Sequence, residues 1–151
     1  MLTLRPARLS EAESLTELCM RSKAVWGYDA DFMTACRSEL AITEEKLVQS
    51  AVQVAVVDGR VVGVARLTVT GADAELEALF VEPRELNGGI GRALFEWAVS
   101  VCRIRKVRTL AIDADPGAAA FYRRMGALDA GVVPSGSIAG RFIPKLTLSI
   151  V

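Results

Sequence analysis

The chain has 151 residues, 18 Lys and Arg against 18 Asp and Glu, and no histidine. That length suits a single domain spanning 1–151, and the balanced charge supplies neither a basic excess for nucleic acid nor a polybasic block for an anionic membrane. The missing histidine removes the commonest metal ligand and the usual base of a Ser-His or Cys-His pair, so no metal site is expected.

Leu2–Pro6 alternates like a short strand. Ser10 with Glu13 reads as a capping box, opening a helix that turns Ala12, Leu15, Leu18, Cys19 and Ser22 inward and ends near Arg21–Lys23. Ala24–Tyr28 is a loop with two large aromatics around a glycine. Asp29 or Asp31 caps a second helix carrying Phe32, Ala35, Cys36 and Leu40. Thr43 starts a short third helix that runs to about Ser50. Residues 52–58 and 61–70 are β-branched runs joined by Asp58-Gly59, a strong hairpin signal. Gly71-Ala72-Asp73 then leads into a strand over Ala74–Glu82.

The segment that follows carries the densest signal. Pro83 ends the ladder because it has no N–H to donate. Asn87-Gly88-Gly89-Ile90-Gly91 is a turn whose glycines permit positive φ and let a ligand approach bare backbone. A helix begins at once, with Ile90, Ala93, Leu94, Trp97, Ala98, Val101 and Cys102 on one apolar face. Unpaired N–H groups at a helix start, together with the macrodipole, form an anion site. A nest of N–H groups from Gly88 to Arg92 suits a phosphate or pyrophosphate.

Val107–Asp113 is the next apolar strand. Asp115 as N-cap and Pro116 at the first position open a helix that buries Ala118, Phe121, Tyr122 and Met125 and stops at Gly126. Leu128–Val133 and Phe142–Val151 are the last strands, separated by a glycine-serine loop. The three cysteines, Cys19, Cys36 and Cys102, lack paired spacing. They point to a reducing, cytoplasmic setting. The N-terminus turns polar by residue 10, unlike a signal peptide, and no apolar run is long enough to span a bilayer.

This order of elements resembles the GNAT family of acyl-CoA-dependent N-acyltransferases, in particular its small bacterial-type single-domain members. The family carries an Arg or Gln, a Gly three positions on and a Gly or Ala two further, between its fourth strand and the next helix. The matching positions are Leu86, Gly89 and Gly91: the glycines agree, and Leu86 replaces the polar residue, leaving Arg84 and Arg92 as nearby cations. A second signature matches Asp115–Tyr122, with Gly117 where an Asn often stands. The resemblance implies an α/β (α+β) GNAT fold. Its mixed, mostly antiparallel sheet has six to seven strands and about four flanking helices.

The resemblance also implies acetyl transfer from acetyl-CoA to a primary amine by direct transfer. Asn87, Gly88, Gly89, Ile90, Gly91 and Arg92 would hold the pyrophosphate. The exposed edge at Leu79, Phe80 and Val81 would bond the amide-rich pantetheine arm as a strand does. Gly117 and Phe121 complete the implied cofactor contacts. Tyr122 is the implied acid for the leaving thiolate, since a neutral phenol can donate to sulfur. Glu75, at the position of the family's glutamate, or Glu77 would receive the amine's proton directly or through water. Strict alternation places Glu75, Glu77 and Leu79 on one face, although a β-bulge would break that parity. Trp26 and Tyr28 sit where the family builds its acceptor pocket, with Ser135 and Arg141 on the far wall.

Two other readings fit parts of the chain. A non-catalytic acyl-CoA-binding module would keep the glycine turn without the chemistry. A Rossmann-type dinucleotide-binding domain would use Gly89, Gly91 and Asp113, but Leu94 occupies the third glycine position and the preceding hairpin is antiparallel. The apolar composition, 52% of residues, and the ending IPKLTLSIV suggest a homodimer through the C-terminal strands or the exposed part of the sheet.

Overall fold

A computed structural model of the chain describes residues 1–86 and 88–151; Asn87, one of the expected cofactor contacts, lies outside the described residues. The strands are β1 (Leu2–Pro6), β2 (Ala51–Val57), β3 (Arg60–Thr70), β4 (Asp73–Val81), β5 (Thr109–Asp113), β6 (Leu128–Pro134) and β7 (Phe142–Ser149). The helices are α1 (Ala12–Ala24), α2 (Ala30–Leu40), α3 (Glu44–Gln49), α4 (Ile90–Ile104) and α5 (Ala119–Arg124). The strands form one mixed sheet in the order β1-β2-β3-β4-β5-β7-β6.

Each face of the sheet buries its own core. On one side α4 and α5 cover Leu67, Leu76, Leu110, Ile112 and Leu146 through Ile90, Leu94, Phe95, Ala98 and Tyr122. On the other α1 lays Leu15, Leu18 and Cys19 on Val52, Val54 and Val64. The apolar stripe of α4 is the one its spacing requires: Ile90, Leu94, Ala98 and Cys102 are all buried. Asp29 caps α2, accepting from the Phe32 N–H at 2.8 Å, and Thr43 caps α3, accepting from Lys46 N–H at 3.1 Å.

Two caps differ from expectation. Ser10 and Glu13 form no capping box. A 3₁₀ turn over Leu9–Glu11 leads into α1, and Glu11 accepts from the Arg8 N–H at 2.8 Å while pairing with Arg5. Asp115 and Pro116 do not begin α5, which starts at Ala119. Asp115 instead closes a tight turn: its Oδ1 accepts from the Gly117 N–H at 2.9 Å. At the second site the carboxylate bonds an N–H only two residues on, so the backbone turns once before the helix begins.

β4 and β5 are parallel and pair over only three residues, Asp73–Glu75 with Thr109–Ala111. Beyond Glu75, β4 continues along β3 to the Gly63–Val81 pair. β5 stays with β7, and past its end the Ala114 N–H donates to the Pro144 carbonyl at 2.9 Å. The sheet therefore opens into a wedge. A bulge sits at the same place: Arg66 faces Ala78 and Leu67 faces Leu76, leaving Glu77 as the extra residue. Its effect is visible in packing. Leu76 and Leu79, an odd number of positions apart, both join the α4 core, whereas Phe80 packs on the α1 side. Leu79 is thus not on the face of Glu75, as strict alternation required.

Gly63 on β3 carries α4. A Cβ there would lie 2.8 Å from Ile90 Cγ2 and 3.0 Å from Leu94 Cδ1. Gly63→Ala should push the first turn of α4 off the sheet and destabilise the protein by about 1–3 kcal/mol, the range for overpacked cores. Urea denaturation would show this as a lower midpoint with an unchanged slope.

Candidate active site

The wedge between β4 and β5 is part of one cavity of about 590 Å³. At one end lie Gly89, Ile90, Gly91 and Arg92 at the start of α4; in the middle, the β4 stretch from Leu76 to Val81 faces Ala114, Phe121 and Tyr122; at the other end lie Glu77, Asp113, Glu39 and Arg141. A single passage thus runs from the glycine turn through the sheet to the α1–α2 side.

The glycine turn behaves as its composition requires. Gly89 is the N-cap of α4 with φ of 80°, a left-handed conformation that side chains disfavour. Gly91 follows in the first turn, where a Cβ would stand 3.4 Å from the Phe121 ring. The bare backbone there lets α4 rest on α5 and leaves the N-terminal N–H groups facing the cavity. Arg92 lines this end, and so does Arg124 at the end of α5. Arg124 was not among the expected cofactor contacts; the packing of α5 beside the α4 terminus brings it to the site.

Leu79, Phe80 and Val81 line the passage along the part of β4 that has no β5 partner. The Val81 N–H points away from β3 and reaches the Ser22 hydroxyl of α1 at 3.4 Å. This is the geometry of an exposed strand edge that an extended ligand can join.

Tyr122 is 6% exposed yet lines the cavity. Its ring packs 6.0 Å from Phe95 and 5.2 Å from Phe121. Among the described residues its hydroxyl has no hydrogen-bond partner, and no fully enclosed side-chain oxygen is left unpaired, so the hydroxyl opens onto the passage. Burial raises its pKa, keeping the phenol protonated.

The carboxylates are brought together as the sequence could only suggest. Glu75 lies beside Glu77 and Asp113; burial first, then the two neighbouring negative charges, push its pKa up to about 7. Glu77 is in the cavity wall and is paired with Arg66 at 3.2 Å. Glu75 is set behind it, in contact with the cluster rather than in the wall. Arg66 was not among the residues that the sequence singled out, and Asp113 was noted only for the dinucleotide-binding alternative. They reach the site because the β4 bulge turns Glu77 toward one and the short β4–β5 pairing brings the other alongside.

The expected acceptor residues are placed together but are committed to one another. Asp115 Oδ2 accepts from the Tyr28 hydroxyl at 2.8 Å and from Lys23 Nζ at 3.0 Å. Arg141 donates to the Tyr28 oxygen at 2.8 Å and lies over the stacked rings of Tyr28 and Phe32. Burial works against the Asp115 anion, but bonds from Tyr28, Gly117 and Lys23 outweigh it and hold the carboxyl below its usual range. Ser135 organises its own loop, accepting from the Ser137 and Ile138 N–H groups. Ser137 in turn donates to Glu39 of α2 at 2.8 Å. The α1–α2 connection and the β6–β7 loop thereby form an arch over the acceptor end. Trp26 lines the cavity and lies against Gly117.

No grouping of three Cys, Asp or Glu side chains among the described residues could hold a metal ion. No helix of the described residues is long and apolar enough to cross a membrane.

No curated protein sequence matches the chain. Among solved structures, it superposes on a GCN5-related N-acetyltransferase from Rhodopseudomonas palustris with a TM-score of 0.81 at 22% identity, over 97% of this chain and 94% of the other. The PaiA N-acetyltransferase of Thermoplasma acidophilum, solved with coenzyme A, gives 0.75 at 17% identity over 96% and 98%. The ribosomal-protein-S18-alanine N-acetyltransferase of Escherichia coli gives 0.72 at 20% identity over 99% and 94%. At these identities the likeness establishes the fold. The model of the acetyltransferase (GNAT) family matches residues 13–127. That span holds the wedge, the glycine turn and the α5 tyrosine, and the chain belongs to the GNAT family of acetyltransferases.

Proposed function

We propose that the protein transfers an acetyl group directly from acetyl-CoA to a primary amine of a small molecule or peptide. The observation that carries this reading is the single passage joining a bare helix N-terminus, an open strand edge and a set of proton-handling side chains. Gly88–Arg92 backbone, with Arg92 and Arg124, suits the phosphates of CoA. The free edge at Leu79–Val81 suits the pantetheine amides. Gly91 keeps the backbone bare at this end, with the Phe121 ring in van der Waals reach of its Cβ position. A relative solved with coenzyme A has the same fold.

Acetyl-CoA supplies an activated thioester; the chain's own residues manage the protons. An amine attacks only when neutral, so a base must take a proton from it. Glu75, held near neutrality, is the base in this reading, reached through Glu77 or a water in the wall. Tyr122 donates its hydroxyl proton to the departing sulfur. The carboxylate-rich acceptor end draws in an ammonium before it gives up that proton.

Thiol release from acetyl-CoA, measured with a panel of amines beside CoA calorimetry, tests the reading. Turnover with at least one amine is expected; CoA binding with no release from any amine would favour a binding module. Tyr122→Phe should lower kcat at least about tenfold while leaving CoA affinity unchanged, because the bond to sulfur strengthens only as charge develops. An unchanged kcat on the preferred amine would leave Tyr122 a packing residue.

The pH profile tests the base. kcat/KM should rise with pH through about 7, as Glu75 loses its proton. Glu75→Gln should remove that limb. Because the folded-state pKa lies above the ordinary 4.5, the protonated carboxyl favours folding. That contribution is complete below about 4.5 and fades as pH rises through about 7. The Gln variant should therefore lose less stability between pH 5 and about 8 than the parent.

The cysteines are free and buried, and burial pushes the Cys19 thiol up to about 12, a pattern suited to a reducing cytoplasm. β6 is an outer strand whose Leu128 and Val132, with Phe142 on β7, are more than half exposed. An open apolar edge of this kind pairs readily with a second copy. Sedimentation at micromolar concentration is expected to show a dimer, and Val132→Lys should release monomers; a monomeric parent would remove the homodimer from the proposal.

A further inference from the structure

Trp26 stands outside the acid–base machinery, yet it touches more of the cavity's frame than its place in a loop suggests. Its benzo ring lies flat on the backbone of Gly117. A Cβ at Gly117 would sit 2.7 Å from Cε3, 2.8 Å from Cδ2 and 3.0 Å from Cζ3 of the indole. No side chain fits between them, so Gly117 is a seat for the ring. Trp26 is 49% exposed and lines the passage with Ala118 and Phe121.

The residues around it tie the same segment to both sides of the wedge. Ser22, one turn back on α1, reaches the free edge of β4 through the Val81 N–H. Lys23 and Tyr28 hold Asp115 in the turn between β5 and α5. Trp26 holds Gly117 in that turn. The segment from Ser22 to Tyr28 therefore spans the gap that β4 and β5 leave open, and the indole is its central bulk. The indole lines the same cavity as the glycine turn and Glu77, so a ligand threading between them would pass it.

We infer that Trp26, seated on Gly117, is a wall of the CoA channel, so that CoA binding and the seating of the α1–α2 connection are one coupled equilibrium. The inference rests on the acetyl-CoA reading above but assigns the indole to the cofactor arm rather than to the acceptor alone. Coupling follows from geometry. An arm lying under the ring gains its contacts only while the ring is seated, and a seated ring loses water only when the arm is present. A ligand that prefers one arrangement shifts the population toward it, and any displacement of the ring weakens the ligand by the same factor.

The chain has two tryptophans, Trp26 and Trp97. Trp97 packs in the α4 core away from the passage, so Trp97→Phe leaves Trp26 as the only reporter. CoA titrated into this variant should shift the Trp26 emission to the blue, saturating at the Kd that calorimetry gives. Gly117→Ala must lift the ring, and Trp26→Ala removes it; each should weaken CoA by about 5-fold or more, within the usual range of coupling between sites. Circular dichroism and melting temperature should stay near the parent for Trp26→Ala, since the ring is half exposed. Unchanged CoA affinity in both variants, or an emission that ignores CoA while calorimetry shows binding, would overturn the assignment and leave the acetyl-transfer reading intact. Failure of the parent to bind CoA at all would overturn both.

Discussion

The structure depends on a parting of strands. β4 and β5 share only three residue pairs, and then each follows its other neighbour. A parallel pair in the middle of a sheet would ordinarily be covered on both faces and continue to its end. Here the extra residue at Glu77 bends β4 along β3, while β7 holds β5 past its last residue. The backbone groups that lose their partner are left facing a cavity instead of core. Such groups cost free energy if nothing satisfies them, and Ser22 already meets one of them. An edge of this kind inside a sheet is a standing site for an amide-rich ligand, and the wedge also gives that ligand a route from one face of the sheet to the other.

The two proton-handling candidates owe their character to opposite sides of that wedge. Tyr122 projects from the α5 side, among Phe95, Phe121 and aliphatic residues, where burial keeps the phenol neutral. Glu75 lies on the opposite face of the sheet, beside Glu77 and Asp113, where burial and like charges keep its carboxyl half-protonated near neutrality. The two candidates are thus separated by the sheet, and the opening is what joins their sides. The bulge is what makes this possible: it returns Leu79 to the α4 side after Glu75 and Glu77 have faced the other way. Without it, one face of β4 would have to carry both the apolar wall and the charges.

Much of this was legible in the chain because it is local. The positive φ of Gly89, the apolar stripe of α4, the caps at Asp29 and Thr43 and the Asp58-Gly59 hairpin each follow from residues within one turn of each other. What escaped the sequence joins residues far apart along the chain. Asp115 looked like a helix cap. It became instead the hub for Lys23, Tyr28 and Arg141, because the end of α1 with the connection after it and the β6–β7 loop converge on the turn after β5. Arg66 carried no signal and Asp113 was read only for a dinucleotide site, since their place beside Glu77 and Glu75 depends on which way a bulge turns one glutamate. The Gly117 position shows the limit plainly. Read alone, the glycine looked like a missing side-chain contact; in three dimensions the space belongs to an indole contributed 91 residues earlier, between Trp26 and Gly117.

That exchange of bulk bears on how the site is divided. When a contact comes from α5 itself, the cofactor channel is complete whatever the acceptor loops do. When it comes from the α1–α2 connection, the channel shares its wall with the arch over the acceptor end, since Tyr28 of the same segment holds Arg141 of the β6–β7 loop. The links run from β4 through Ser22 to Trp26, through Asp115 to Arg141, and through Ser137 to Glu39. Most are hydrogen bonds or ion pairs at partly exposed positions, individually worth about 1 kcal/mol or less. The aromatic contact on Gly117 is the one apolar, shape-specific element among them. It has no polar substitute, and a single added methyl group would break it. In a ring of weak, exchangeable bonds, the contact that tolerates no change in shape is the one that sets the spacing of the rest.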